Sequence, residues 1–173
     1  MIETLSLHPI FYCFMANHKL NLEDFDQVDY NLIAIHTVQE DYKLAFKLNQ
    51  KLTISLSKNE NEISVEIQQI LAHFSRFTYY DDEKMVVWDL IQNKQKIELP
   101  TQNLPANLFG NKNFASRIFL VSELKKVDYF LKIELDSQYK IKDIISKINK
   151  IDSISAVYEI NANEIKSKNN LIF

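Results

Sequence analysis

The chain has 173 residues, a formal net charge of −3 and a hydrophobic share of 46%, which is enough for one packed domain. Its 25% of charged residues argue against both a membrane protein and a disordered acidic chain. Because phosphate contacts need a basic excess and the only arginines are Arg76 and Arg117, we expect no nucleic-acid partner. No apolar run is long enough to span a bilayer, so we expect no membrane partner either.

Single cysteine and glycine residues limit the chemistry further. Cys13 alone cannot form an intrachain disulfide or a cysteine-based zinc site, and a chain without disulfides suits the cytoplasm. Phosphate-binding loops and the nucleophile elbow each need more than one glycine, whereas this chain has only Gly110. We therefore expect no cofactor, and we expect Asn and Asp to make the tight turns.

The first part of the chain predicts a leader segment, followed by strands and then a helix. Residues 1–14 differ in character from the segment after them, so we expect an extension or an upstream start there and the ordered domain over 15–173; an extra edge strand is the alternative. "HKLNLE" alternates as a half-buried strand does, and "VDYNLIAIH" predicts a buried strand. Thr37 and Glu40 have capping-box spacing before a helix over "DYKLAFKLNQKL".

The middle of the chain predicts strands and one long loop. "LTISLS" and "EISVEIQ" are strand-like, and "FSRFTYY" and "MVVWDLI" flank the polar turn "DDEK" as a hairpin does. No pattern persists over about 92–116, so we expect a long loop there. Its apolar residues are candidate contacts for a protein partner: Leu104, Leu108 and Phe109.

The last part of the chain predicts a strand, a corner, a strand, a helix and a strand. "RIFLV" and "VDYFLKIEL" are the first two strands, and Asp136 and Ser137 are suited to cap the next helix. One apolar stripe marks that helix: Ile141, Ile144, Ile145, Ile148 and Ile151. "SISAVYEI" predicts another strand, and "NLIF" a short terminal one.

The pentapeptide "VDYNL" at Val28–Leu32 nearly recurs as "VDYFL" at Val127–Leu131. Each copy begins a strand that leads to a helix and another strand, which indicates two related β-α-β blocks; coincidence in a narrow residue alphabet is the alternative. Either way the predicted class is α+β, a mainly antiparallel sheet with two principal helices packed on it.

Few residues could carry chemistry. The histidines lack metal-ligand spacing, so we expect no metal site. If the two VDY strands are neighbours, Asp29 and Asp128 could approach each other for acid–base catalysis, with His36 nearby. The competing interpretation is structural: an Asp at a strand entrance usually accepts backbone amides, and His36 would hydrogen-bond a backbone group.

The segment "VSELKKVDYFLKIE", Val121–Glu134, resembles the bacterial family named for its I-P-E-x-x-x-V-D-Y motif. Glu123, Val127, Asp128 and Tyr129 match that motif, whereas Ser122 stands where the family has proline. "HKLNLE" and "EDYKLAFKLNQKL" extend the similarity toward the front of the chain. The resemblance implies no activity, cofactor or catalytic residue, because the family is uncharacterised.

The motif also has a physical interpretation of its own. Glu123 and Asp128 bracket a tight corner between two strands, where we expect them to accept backbone amides while Val127 or Tyr129 anchors the core. The sequence therefore favours a non-enzymatic cytoplasmic module that binds a protein partner or self-associates. The alternative is a small-ligand sensor, or an enzyme of unfamiliar type that uses Asp29, Asp128 and His36.

Overall fold

A computed structural model describes residues 29–67, 70–99, 114–134 and 140–173. Some of the expectations fall on the rest of the chain and lie outside the described residues. They are the leader at 1–14, the "HKLNLE" strand, the caps Asp136 and Ser137, and the candidate partner contacts Leu104, Leu108 and Phe109.

Ten strands and two α-helices make up the described part of the chain. In chain order they are β1 (Tyr30–Thr37), α1 (Asp41–Leu52), β2 (Ser57–Lys58), β3 (Ile63–Ile67), β4 (Ile70–Phe74), β5 (Arg76–Asp81), β6 (Val86–Gln92), β7 (Lys94–Leu99), β8 (Phe114–Phe119), β9 (Tyr129–Glu134), α2 (Ile141–Ile148) and β10 (Ile154–Ile160). Short 3-10 turns lie at Ser122–Leu124, Ala162–Glu164 and Lys168–Leu171.

The main sheet has six strands in the order β10-β1-β9-β6-β5-β2, and every neighbouring pair is antiparallel. The predicted α+β class, with a mainly antiparallel sheet and two principal helices, is therefore confirmed. The predicted hairpin is also present, since β5 and β6 pair from Arg76 opposite Ile91 to Asp81 opposite Val86.

Both helices pack on one face of this sheet. α1 contributes Leu44, Ala45 and Leu48, and α2 contributes Ile144 and Ile148 to a single buried cluster. The sheet side of the cluster comes from alternate residues of the central strands: Ile33, Ile35, Trp88, Leu90, Tyr129, Leu131 and Ile133. The isoleucine stripe predicted from the sequence is thus the buried face of α2.

The opposite face of the sheet is covered by strands and by the C-terminal turns. Leu32, Ala34, Ile91 and Phe130 point to this side. Their partners come from the two hairpins β3–β4 and β7–β8 and from the turns near the end of the chain: Ile63, Ala72, Phe74, Ile118, Ala162, Ile165 and Leu171. Strands β1 and β9 are therefore buried on both faces, which explains their nearly unbroken apolar sequences.

The hairpins reach that second face through two breaks between strands. Ser75 separates β4 from β5, and Asn93 separates β6 from β7. The two breaks lie side by side, because the amide of Gln92 donates to the carbonyl of Ser75 at 3.0 Å. The prediction of a loop over about 92–116 is therefore wrong at both ends, because Gln92 ends β6, Lys94–Leu99 form β7 and β8 begins at Phe114; residues 100–113 lie outside the described part.

Three local predictions were wrong. Of the predicted "LTISLS" strand only its last residue, Ser57, pairs, as the start of β2, and "NLIF" overlaps a 3-10 turn instead of a strand. The capping box does not form, because Thr37 ends β1 and its hydroxyl donates to the carbonyl of Ser153 at 2.7 Å. α1 begins after Glu40, which makes no side-chain capping bond.

The two VDY copies are not structurally equivalent. They start the adjacent strands β1 and β9, but these run antiparallel. Tyr30 packs toward the hairpin side of the sheet, whereas Tyr129 belongs to the cluster under the helices. The helices also connect differently: β2 is separated from β1 by three strands, whereas β10 is separated from β9 by β1 alone. If the two blocks were copies of one β-α-β unit, the equivalent residues Tyr30 and Tyr129 would both lie on the helix side of the sheet.

No helix in the described ranges is long and apolar enough to cross a lipid bilayer.

Two described residues other than glycine adopt positive φ, and neither is the Asn or Asp expected for tight turns. Thr53 has φ 59° at the C-terminal end of α1, and Met85 has φ 53° just before β6. A β-branched residue in this region is strained by its own Cβ, and glycine is the usual choice at a helix end.

Thr53→Gly should therefore stabilise the protein by about 1 kcal/mol, because it removes that strain while keeping the amide that donates to Asn49 O at 3.0 Å. Urea unfolding monitored by circular dichroism measures the change. Thr53→Ala is the matched control and should gain less, since alanine keeps the Cβ. A loss of stability in the glycine variant would show that the left-handed conformation costs little here.

Candidate functional site

The motif that carries the family resemblance lies where β1 ends, β9 begins and β6 passes into β7. Two polar clefts open at this end of the sheet, and Asp128 and Tyr129 each line one of them. Residues of this corner therefore form part of both cleft walls.

Asn93 is the centre of the corner and is fully buried. Its side-chain amide donates to the carbonyls of Leu124 and Val127, both at 2.9 Å, and its side-chain oxygen accepts from the amide of Val121 at 2.9 Å. Its main chain donates to Asp128 O at 2.9 Å and accepts from the amide of Leu120 at 3.0 Å. One side chain thus replaces the sheet hydrogen bonds that the turn between β8 and β9 cannot make.

Asp128 fastens the start of β9 to the end of β1 and to β7. One carboxylate oxygen accepts the amide of Thr37 at 3.0 Å, and the other forms an ion pair with Lys94. The ammonium of Lys94 also donates to the carbonyl of Lys126 at 3.0 Å. Asp128 therefore does accept a main-chain amide, as expected, but on a strand remote in sequence and not within its own corner.

Val127 and Tyr129 flank Asp128 and anchor opposite cores. Val127 is buried on the hairpin side and Tyr129 on the helix side. The phenol of Tyr129 donates to the carbonyl of Gln39 at 3.0 Å. Burial, and then the nearby carboxylates of Asp41, Asp128 and Glu40, raise the pKa of this phenol, so it remains a donor. The motif thus spans both layers of the fold.

Glu123 holds the C-terminal segment instead of the corner. Its carboxylate accepts the amide of Ser167 at 2.8 Å and the hydroxyl of Ser167 at 2.6 Å, with a further contact from the Ser122 hydroxyl at 3.2 Å. Desolvation alone would raise the pKa of Glu123, but these hydrogen bonds outweigh it and lower the pKa to about 2.

The two clefts have different charge. The first, of about 420 Å³, has Glu40, Asp41, Glu62 and Lys58 in its wall, so its three carboxylates outnumber its one lysine. The second, of about 520 Å³, is lined by Thr37, Val38, Gln92, Lys94, Gln95, Lys96, Arg117 and Asp128, so its cations outnumber its single carboxylate. Gln92 and Gln95 line both clefts.

The acid–base arrangement considered from the sequence does not form. Asp29 precedes Tyr30, which pairs with Glu134 at the far end of β9, whereas Asp128 lies beside Ile35 at the near end. About five residues at roughly 3.3 Å each separate the two carboxylates along the strand. His36 stacks on Tyr158 with ring centroids 5.6 Å apart, and its Nε2 lies 3.1 Å from the Tyr158 hydroxyl, not from a backbone group.

Other polar groups near the clefts have structural explanations. The Oγ of Ser64 and the Nδ1 of His73 lie 2.8 Å apart because the two residues are cross-strand partners in the β3–β4 hairpin. Within the described ranges, no group of three or more His, Cys, Asp or Glu residues is arranged to hold a metal ion.

An exposed apolar ridge borders the cationic cleft. Val38, 97% exposed, lies in the loop before α1 and lines that cleft. Tyr42 and Phe46, 56% and 61% exposed, come next at spacings of four residues on α1, which places these two on one face of the helix. The structure leaves large apolar side chains in water here, although the helix has a well-buried face of its own.

Sequence reasoning missed the residues that matter most to this architecture. Asn93 directly follows the strand-forming "MVVWDLI" and Gln92, but the charged sequence after it gave no signal of a second strand. It also missed a buried charge cluster on the hairpin side of the sheet. There Lys132, 3% exposed, lies directly opposite Asp89, which binds Arg76 through both oxygens at 2.8 and 3.2 Å. The ring of Phe173 lies 3.8 Å from the Arg76 guanidinium and 4.7 Å from the Lys132 ammonium.

Comparison of this chain with family models, with curated proteins and with solved structures gave no match. The resemblance to the I-P-E-x-x-x-V-D-Y family therefore rests on the motif residues named above.

Asn93→Asp should lower the free energy of unfolding by about 3 kcal/mol or more, because it turns a buried donor toward two carbonyls into a charged acceptor. Urea unfolding at neutral pH measures the loss. Asn61→Asp, at an exposed position, is the control and should change stability little. Equal stability of the two variants would show that the corner does not depend on the Asn93 amide.

Glu123→Gln should change how stability depends on pH. The folded-state pKa lies below the value of an unfolded Glu, so the carboxylate stabilises the fold above about pH 4.5, and this contribution is lost as the pH falls toward about 2. At neutral pH the variant should lose about 1 kcal/mol, a figure reduced for the exposure of Glu123 to solvent. As the pH falls from 4.5 to 2, the free energy of unfolding of the variant should then decrease less than that of the wild type.

Urea unfolding at several pH values measures both effects of Glu123→Gln. Glu159→Gln, on the exposed side of β10, is the control and should match the wild-type pH profile. Identical profiles for the two variants would contradict the role given to the Ser167 contacts.

Proposed function

We propose that this protein is a non-enzymatic cytoplasmic module, a relative of the I-P-E-x-x-x-V-D-Y family, that binds a protein partner or a second copy of itself. The observation that carries the proposal is the apolar ridge formed by Val38, Tyr42 and Phe46. Exposed apolar groups of this kind, bordered by charged residues, are typical of the centre of a protein interface.

Tyr42 in this ridge is held in place before any partner arrives. The phenol of Tyr42 donates to Glu40 at 2.8 Å, and Lys43 pairs with the same carboxylate at 2.7 Å while its ammonium lies 5.4 Å from the Tyr42 ring. The hydrogen bond from Lys43, and then the one from Tyr42, lowers the pKa of Glu40, which favours the ionised acceptor. An aromatic ring fixed in this way loses little side-chain entropy on binding.

Charged residues surround the apolar groups. Glu40, Lys43 and Lys51 are exposed around the ridge, and Lys47 is partly exposed. A rim of this composition supports specificity and association rate more than affinity, whereas the aromatic side chains supply the buried area. We therefore assign the binding energy to Tyr42 and Phe46 and the choice of partner to the rim.

The acids of the motif support a structural role beside this surface. Both oxygens of Asp128 are occupied, by the amide of Thr37 and by Lys94, and Glu123 is occupied by Ser167. These contacts hold the end of β1, from which the loop carrying Val38 continues, and the C-terminal segment. In this proposal the motif residues fix the end of β1, and the apolar ridge begins in the loop that follows it.

Self-association has a specific surface in its favour. β10 is an edge strand of the main sheet, with seven residues and no pairing partner on its outer side among the described residues. An exposed edge of this length presents free amides and carbonyls that a second copy can pair with. A pairing of two β10 strands would extend the sheet across the dimer without involving the ridge.

Tyr42→Ser combined with Phe46→Ser should weaken partner binding at least tenfold while leaving the fold intact, because both side chains are mostly exposed. Photo-crosslinking from position 46 in lysate identifies a directly bound protein, and titration of that purified protein measures its affinity for both forms. Light scattering over a range of concentrations detects self-association through either surface.

Leu71→Ser is the matched control, since Leu71 is 59% exposed on β4, away from α1. It should bind the partner as the wild type does. A protein that stays monomeric and gives no crosslink from position 46, or a partner bound equally well by the double variant, would overturn the ridge as the binding surface.

A further inference from the structure

The face of the β7–β8 hairpin that lines the cationic cleft brings two positive charges together. Lys96 and Arg117 are directly opposite each other in the antiparallel pair, and both line the second cleft. Directly opposed side chains project from the same face of a sheet with Cβ atoms about 5 Å apart. Like charges at this separation destabilise the hairpin unless something neutralises them.

Nothing in the described part of the chain provides that neutralisation. The one carboxylate in the cleft wall, Asp128, is already paired with Lys94 and bonded to the amide of Thr37. No ion pair or hydrogen bond joins the side chain of Lys96 or Arg117 to any other described side chain. The cleft therefore keeps two cations whose charge is not balanced by the described residues.

The rest of the cleft wall suits a small polar ligand. Gln95 and Gln92, whose side-chain oxygen already accepts from Ser75, also line the cleft, which has a volume of about 520 Å³, within the ordinary range for small-molecule sites. An arginine offers a planar set of donors that matches two oxygens of one anion, and a lysine adds a point charge. Two cations placed together in a cleft therefore suit an oxyanion.

We propose that this cleft binds a small molecule through an oxyanion, a phosphate or a carboxylate, held between Lys96 and Arg117. The bound anion removes the repulsion between the two side chains, so that ligand binding stabilises the hairpin. The proposal does not depend on the apolar ridge, since neither cation belongs to it.

Thermal unfolding in added inorganic phosphate tests the site, with succinate as the carboxylate probe and sodium chloride at matched ionic strength as the reference. At about ten times its Kd, the ligand should raise Tm by roughly 3–5 °C above the chloride reference. A larger response to phosphate than to succinate identifies the phosphate class, and the reverse result identifies a carboxylate ligand.

Lys96→Gln combined with Arg117→Gln should abolish this rise in Tm, and without ligand the double variant should be at least as stable as the wild type. Each single variant should need at least ten times more ligand than the wild type for the same rise in Tm. Lys125→Gln, at an exposed position of the β8–β9 connection, is the control and should respond as the wild type does.

Two results would overturn the proposal. One is a Tm rise with phosphate and succinate that chloride reproduces at the same ionic strength. The other is a response that survives in the double variant. Isothermal titration of phosphate into the folded wild type and the single variants gives a second readout, and heats that are the same for all of them would also count against the site.

Discussion

Strand β9 is buried on both of its faces, and this constraint shapes the rest of the described structure. Tyr129, Leu131 and Ile133 face the helices, whereas Phe130 faces the hairpins. A strand in that position cannot leave any polar group to water, so its ends must be closed by side chains. Asn93 and Asp128 close the near end, and Lys132, with its ammonium 2.6 Å from Glu134, lies toward the far end. A strand with one wet face would have needed none of these residues.

As a result of the same constraint, the motif residues that hold the fold together are not the residues that we assign to binding. The motif residues are engaged inside the molecule, Val127 in one core, Tyr129 in the other and Asp128 between two strands. The apolar ridge and the cationic cleft instead border the loop that leaves β1 at this corner. Groups whose hydrogen bonds are already made internally have little left to offer a ligand, whereas exposed apolar residues and unbalanced cations do. The motif residues thus close the fold at this corner.

Particular elements show how much of the fold local patterns could predict. Periodicity predicted the α2 stripe and the β5–β6 hairpin correctly, because each is set by neighbours close in the chain. It failed at Thr37, whose spacing to Glu40 matches a capping box but whose hydroxyl is taken by Ser153, 116 residues away. It failed again at β7, because "KQKIEL" carries three charged residues and its strand character comes from pairing with β8. For the candidate sites, Asp128 was expected to accept an amide within its own corner, whereas the amide it accepts belongs to Thr37 on β1.

Local apolar patterns were sufficient for the class of the fold, for the two helices and for the identity of the strands at its centre. Long-range pairing was needed to show that the two VDY strands run antiparallel, which placed Asp29 and Asp128 at opposite ends and the two tyrosines on opposite faces. The same pairing brought Asn93 to the corner and Lys96 opposite Arg117. Strand direction and register depend on contacts between residues far apart in the chain, and a local pattern carries no record of them.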